Sequence, residues 1–159
     1  MGAPPPEDVE LIPELPLWNE GSGISMKDWI ACVGSFEHAI GYSRLFWPEF
    51  VEREGCIVWP GADAPLLQHW KEHLHGDLQK VERVVNHRHI ADLFADPDLD
   101  PTRAQLRYLG RVLREIWQVK LDHDFPDRHV RVVFNDTEED IDLLDYQITF
   151  FQDPPAPAP

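Results

Sequence analysis

Five of the eight histidines fall between residues 69 and 89, and their spacing is the feature of this sequence that most favours chemistry. His69, His73 and Asp77 follow one another at intervals of four. On a continuous helix that interval places side chains one turn apart on a single face. Two imidazoles at this spacing can share a zinc ion, and a nearby carboxylate can bind the metal or act as a base.

A second carboxylate, Glu37, projects among the apolar residues of an earlier predicted helix. A carboxylate there is costly unless it is paired, hydrogen-bonded or bound to metal. One hypothesis is therefore a divalent metal site, for example for zinc, made of Glu37, His69, His73 and Asp77 with one position for water. It would make the protein a small metal-dependent hydrolase or metal-binding protein.

The competing interpretation has no cofactor and is the one we favour. The histidines then lie half exposed at the edge of a helix, and Asp77 interacts with Lys80 or Arg88. His87 and His89 flank Arg88, and we expect their side chains to point to opposite sides, which makes them weaker ligand candidates.

The order His-x-x-Glu-His in residues 69–73 is similar to the zinc-binding helix of inverted zinc peptidases. The distant glutamate ligand of those enzymes is not identifiable here. Short S-ribosylhomocysteine-cleaving enzymes use a downstream cysteine as third ligand, and no cysteine follows Cys56. The sequence is assigned to no family.

Charge points instead to a protein partner. The chain has 29 acidic and 14 basic residues, a formal charge of −15, which disfavours nucleic acid and favours a basic protein. Six acids lie between Asp136 and Asp145, and four arginines (103, 107, 111 and 114) are expected to neutralise part of that segment. The expected partner-binding residues are Asp136, Glu138, Glu139, Asp140, Asp142, Trp47 and Trp59.

The leading functional hypothesis is a small acidic protein that acts by protein–protein binding, as an inhibitor or an immunity-type partner of a basic protein. A non-catalytic accessory subunit is the further alternative, and the sequence leans against an enzyme. No apolar run reaches the length that spans a bilayer, and no secretory signal is seen. Cys32 and Cys56 suit free thiols in a reducing cytoplasm.

The periodicity predicts an α+β fold, with three long or medium helices packed on a small antiparallel sheet. Strands are expected near 56–59, 129–134 and 146–151. Helices are expected from Ser25 to Gly41, from Asp63 to Asn86, and after a cap at Asp100, with short helices over 49–54 and 87–94. The first helix is expected to bury Trp29, Ile30, Val33, Phe36 and Ile40.

The predicted organisation is a flexible proline-rich tail over 1–16, a single α+β domain over 17–152, and a disordered Pro/Ala tail over 153–159.

Overall fold

A computed structural model describes residues 4–96, 98–136 and 146–153, and it confirms the predicted α+β class. Within these residues the strands form two antiparallel sheets, a β1–β2 hairpin and a three-stranded sheet in the order β3-β5-β4. The helices are α1 (Pro6–Leu11), α2 (Met26–Val33), α3 (Phe36–Phe46), α4 (Ala64–His73), α5 (Leu78–Val85) and α6 (Arg103–Asp124). The strands are β1 (Val51–Arg53), β2 (Cys56–Val58), β3 (Arg88–His89), β4 (Val130–Phe134) and β5 (Gln147–Gln152).

The contacts divide the chain into two compact units, one ending at Leu45 and the other beginning at Phe46. The first unit contains α1, a 3-10 turn at Leu15–Leu17, α2 and nearly all of α3. Helix α1 lies in the segment expected to be a proline-rich tail. The predicted domain and tail boundaries stay predictions.

The first predicted helix is two helices. Ser25 caps α2 as expected, because its hydroxyl accepts a hydrogen bond from the Asp28 N–H at 3.2 Å. Gly34 then ends α2, and the Ser35 hydroxyl accepts from the His38 N–H at 3.1 Å at the start of α3. Gly41, the expected stop, lies inside α3. Because the helix is interrupted, residues before and after Gly34 do not share the single apolar face that a continuous helix would give them.

The predicted helix from Asp63 to Asn86 is also interrupted. Asp63 caps α4 as expected, accepting from the Leu66 N–H at 2.9 Å. After α4 the chain turns left-handed at His75 (φ 55°) and Gly76 (φ 77°), and the Gly76 N–H donates to the Lys71 carbonyl at 2.9 Å. This is a Schellman ending, and it separates α4 from α5.

The strand at 56–59 is confirmed as β2, but its expected place in the larger sheet is wrong. It pairs with β1 across a two-residue turn at Glu54 (φ 51°) and Gly55 (φ 83°), the type I′ geometry that closes tight hairpins. The short helix expected over 49–54 is therefore strand and turn. The third strand of the larger sheet is β3, which pairs with β5 and leads into a 3-10 turn at Ile90–Leu93 in place of the helix expected over 87–94.

Two buried polar side chains join the hairpin to the larger sheet: Glu82 of α5, and Asn86, which caps the end of that helix. One Glu82 oxygen accepts from the Ile57 N–H at 2.7 Å, and the other accepts from the Gln152 N–H at 2.7 Å. The Asn86 amide donates to the carbonyls of Ile57 and Phe150 at 2.8 and 3.0 Å. The two side chains, one helical turn apart, thus satisfy backbone groups on β2 and on the part of β5 that lies beyond its pairing with β3.

Helix α6 covers the sheet. Thr102 caps it in a capping box with Gln105, not Asp100 as expected. Gln118 bonds the outer edge of β4, donating to the Val130 carbonyl at 2.8 Å and accepting from the Val132 N–H at 2.9 Å. Rings from four segments meet in the core, with centroids 4.8–6.4 Å apart: Phe50, Trp59, Trp117 and Phe150.

Gly110 is where α6 approaches the sheet most tightly. A Cβ at this position would lie 2.1 Å from Cζ of Phe134, so Gly110→Ala forces the ring or the helix to move. We expect a loss of about 1–3 kcal/mol in the free energy of unfolding, measured by urea denaturation. Gly41→Ala is the control. Gly41 lies inside α3, and a Cβ there would have no atom within 4 Å beyond its chain neighbours and its own helix backbone, so this change should be neutral or mildly stabilising. Equal stabilities for Gly110→Ala and the wild type would contradict the close approach.

The buried carboxyl of Glu82 should give stability a distinctive pH dependence. Burial raises the pKa of Glu82, against the opposing effect of its N–H donors and of Arg128. The folded chain then holds this proton more tightly than the unfolded chain. This contribution to the free energy of unfolding is present below about pH 4.3 and is lost as pH rises through the raised folded-state pKa.

Glu82→Gln removes that titration. It also sets an amide N–H against an N–H donor, at a cost of about 1–3 kcal/mol. Urea denaturation between pH 4 and 7.5 should show the advantage of the wild type over Glu82→Gln shrinking as pH rises. The exposed Glu115, changed to Gln, controls for the loss of one negative charge. An advantage that stays constant or grows with pH would rule out this assignment.

Candidate functional site

The structure brings together only two of the four residues in the predicted metal site. His69 and His73 are exposed on α4 with ring centroids 4.2 Å apart. Asp77 is not on their helix. It caps α5, accepting from the Lys80 N–H at 3.2 Å, and the side-chain hydrogen bond from Lys80 lowers its pKa. Glu37, expected on a core-facing arc, is exposed on α3 in the first unit. Within the described ranges, no group of three or more His, Cys, Asp or Glu side chains has metal-binding geometry.

The predicted partner-binding residues are only partly described. Asp136 forms an ion pair with Arg111 at 2.6 Å, as expected of the arginine band. Glu138, Glu139, Asp140 and Asp142 lie outside the described residues. Trp47 is 46% exposed, with the Lys120 ammonium 5.3 Å from its ring centre. Trp59 is half buried, and its indole N–H donates to the Asn86 carbonyl at 3.3 Å, so it belongs mainly to the core.

An exposed apolar surface lies on α2 and α3, where the sequence predicted a buried face. Neither helix buries a single residue. Four large side chains, at 56%, 45%, 87% and 66% exposure, make up what we call the α2–α3 apolar surface: Ile30, Val33, Phe36 and Ile40. Isolated exposed apolar residues are common, and exposed apolar residues that adjoin one another mark interaction sites.

Acidic residues dominate the segment that carries this surface. Between Pro4 and Leu45 the chain has seven acidic and two basic residues. Glu37 follows Phe36 directly, and the Glu14 carboxylate accepts a hydrogen bond from the Trp29 indole N–H at 2.5 Å. The sequence predicted these apolar residues as one buried face of a single helix, and both the single helix and the burial are wrong. The sequence could not indicate whether this chain or another molecule covers these side chains, because apolar residues have the same helical spacing on a face buried in the core and on a face that binds a partner.

A cleft of about 480 Å³ opens in the second unit beside the Glu82 network. Its lining residues are Gly55, Asp77, Leu78, Gln79, Glu82, Arg128, Gln152 and Asp153. The charged groups at its rim already have partners within the chain: Asp77 pairs with Lys80, Arg128 with Glu52, and Asp153 with Arg131. The cleft therefore offers little unsatisfied polarity to a ligand.

The two thiols are free, as predicted, and differ sharply in environment. Cys32 is exposed on α2. Burial, reinforced by the negative charge of Glu82, raises the pKa of Cys56 to about 11, so a thiolate nucleophile is not available there. With a disulfide-exchange reagent at pH 8, we expect one thiol to react quickly and the second only on unfolding. Cys32→Ser should leave the native chain unreactive, and two fast thiols in the wild type would contradict the burial.

Comparison of the chain with family models, curated proteins and solved structures gives no match. No helix in the described ranges combines the length and apolar character needed to cross a membrane. Function is therefore inferred from the chemistry of the chain's own surface, and the α2–α3 apolar surface is the strongest candidate site.

Proposed function

We propose that this protein acts by binding a basic protein through the α2–α3 apolar surface, as an inhibitor or an immunity-type partner would. The observation that carries the proposal is the exposure of four large apolar side chains on helices that bury no residue. Fully burying a side chain of this kind contributes about 1.5–3 kcal/mol. Four such side chains are a substantial driving force that the described part of this chain leaves unused.

The charge of the first unit defines the chemistry of the partner. Seven acids against two bases favour a partner with an apolar centre and a basic rim. A second copy of the chain would bring the same acidic residues against themselves, and like charges across an interface are costly. A basic protein removes that repulsion and is attracted over a distance set by ionic strength.

The negative charge of the acidic segment after β4 would raise the rate at which a basic protein approaches the chain. Asp136 is already paired with Arg111, so steering would come from Glu138, Glu139, Asp140 and Asp142. Trp47 is the more exposed of the two tryptophans considered as anchors, and an aromatic side chain of this kind often carries much of the binding energy at an interface.

The test begins with a photoreactive phenylalanine analogue in place of Phe36, expressed in the source cells, with the same analogue at Tyr108 as control. Tyr108 is 56% exposed on α6, outside the proposed surface. We expect a basic protein to be crosslinked from position 36 and not from position 108.

Calorimetry with that purified partner then measures the contribution of the surface. Phe36→Ala with Ile40→Ala should weaken binding by about tenfold or more, since about 1.4 kcal/mol corresponds to tenfold. The matched control, Tyr108→Ala with Val119→Ala, removes similarly exposed side chains from α6 and should not weaken binding. Higher salt should slow association. A crosslink only to a second copy, a partner without net positive charge, or unchanged affinity in the Phe36/Ile40 variant would overturn the proposal.

A further inference from the structure

His87 and His89 face each other, contrary to the expectation that they point to opposite sides. Their Nε2 atoms are 3.3 Å apart, and both rings are half buried. In extended chain, residues i and i+2 lie on the same face, and His89 is in strand β3 with His87 just before it. Arg88 between them lies over the Trp59 ring at 5.4 Å.

The separation of the two nitrogens matches that of two ligands on one metal ion. Imidazole nitrogens bind zinc at about 2.0–2.1 Å, so two of them at tetrahedral angles lie roughly 3.3–3.4 Å apart. The same distance also suits a hydrogen bond between neutral rings, in which His89 Nε2–H donates to His87 Nε2. A metal ion would take the place of that proton, and His89 would carry its proton on Nδ1.

His87 already has the orientation that a metal ligand needs. Its Nδ1 lies 3.2 Å from the Val84 carbonyl, a contact that requires the proton on Nδ1. The lone pair is then on Nε2, directed at His89. A backbone carbonyl on the second nitrogen is the usual way in which proteins fix the tautomer and orientation of a metal-binding histidine.

The backbone that carries the pair is held in place. His89 is paired in register with Gln147 of β5, and the Ile90 N–H donates to the Tyr146 carbonyl at 2.8 Å. Before the pair, Asn86 is fixed by the buried bonds that join β2 to β5. Both histidines therefore sit on ordered chain, which lowers the entropy cost of holding them for a metal.

From this geometry we infer a binding site for a divalent transition-metal ion at His87 and His89, with water at the remaining coordination positions. Imidazole donors favour ions such as Cu²⁺, Ni²⁺ and Zn²⁺, and the affinity of such a site should rise from Ni²⁺ to Cu²⁺. The site is independent of the α2–α3 apolar surface, which lies on a different unit.

The test is calorimetric titration of Zn²⁺ and Ni²⁺ into untagged protein that has been dialysed against a chelator. We expect about one ion per chain, and His87→Asn and His89→Asn should each weaken binding about tenfold or more because one of two donors is lost. Comparison of the circular dichroism of each variant with the wild type checks folding.

The chain provides its own matched control in His69 and His73. This pair is the competing donor set on the exposed face of α4: its ring centroids lie 4.2 Å apart, and His73 Nδ1 also contacts a backbone carbonyl, that of His69, at 2.8 Å. The double variant His69→Asn with His73→Asn should retain the metal affinity of the wild type. Loss of binding in this variant alone, or no binding by the wild type, would overturn the inference.

A spectroscopic measurement on the wild type covers the case in which a His87 variant fails to fold. Long-range ¹⁵N–¹H correlation spectra resolve the ring nitrogens of each histidine and report which of them binds the ion. On addition of Zn²⁺, the Nε2 signals of His87 and His89 should shift together, in equal proportion to the ion added. Shifts confined to other histidines would contradict the site.

Discussion

The hydrogen bonds of Glu82 and Asn86 are the interaction on which the second unit depends. Both side chains have no exposed surface, and together they bind backbone groups on two strands that belong to different sheets. A hairpin of three-residue strands is marginal by itself in water. Here Glu82 and Asn86 bond the backbone of β2 on one side and of β5 on the other, so that β2, α5 and β5 form one hydrogen-bonded assembly. The Cys56 side chain on β2 is also buried.

A helix side chain also bonds strand backbone at the β4 edge of the larger sheet. Gln118 of α6 bonds both a donor and an acceptor on the outer edge of β4. An open strand edge invites pairing with other chains, and proteins commonly cover such edges. In this fold, amide and carboxylate side chains from two helices cover edges that further strands would otherwise fill. The compactness of the sheet therefore depends on a few buried polar residues as well as on its aromatic core.

The two candidate sites stand in different relations to this framework. The His87–His89 pair follows directly after Asn86, and the bonds of Asn86 and the pairing of His89 with β5 hold its backbone in place. A metal site needs such fixed geometry. The α2–α3 apolar surface lies on helices that bury nothing, so its apolar side chains are available to another molecule. Amphipathic helices gain most of their stability from the molecule or segment that packs against their apolar face.

The sequence by itself determined the α+β class, the caps at Ser25 and Asp63, the strands predicted near 129–134 and 146–151, and the free thiols. These follow from local signals: cap residues, alternation of period two, and cysteine number. Only the tertiary structure decided which apolar faces are buried, which strands share a sheet, and where Glu82 and Asn86 bond. Such features depend on partners that are distant in the chain. The helix break at His75–Gly76, a local turn, moved Asp77 out of line with His69 and His73, and strand pairing fixed the backbone that turns His89 towards His87.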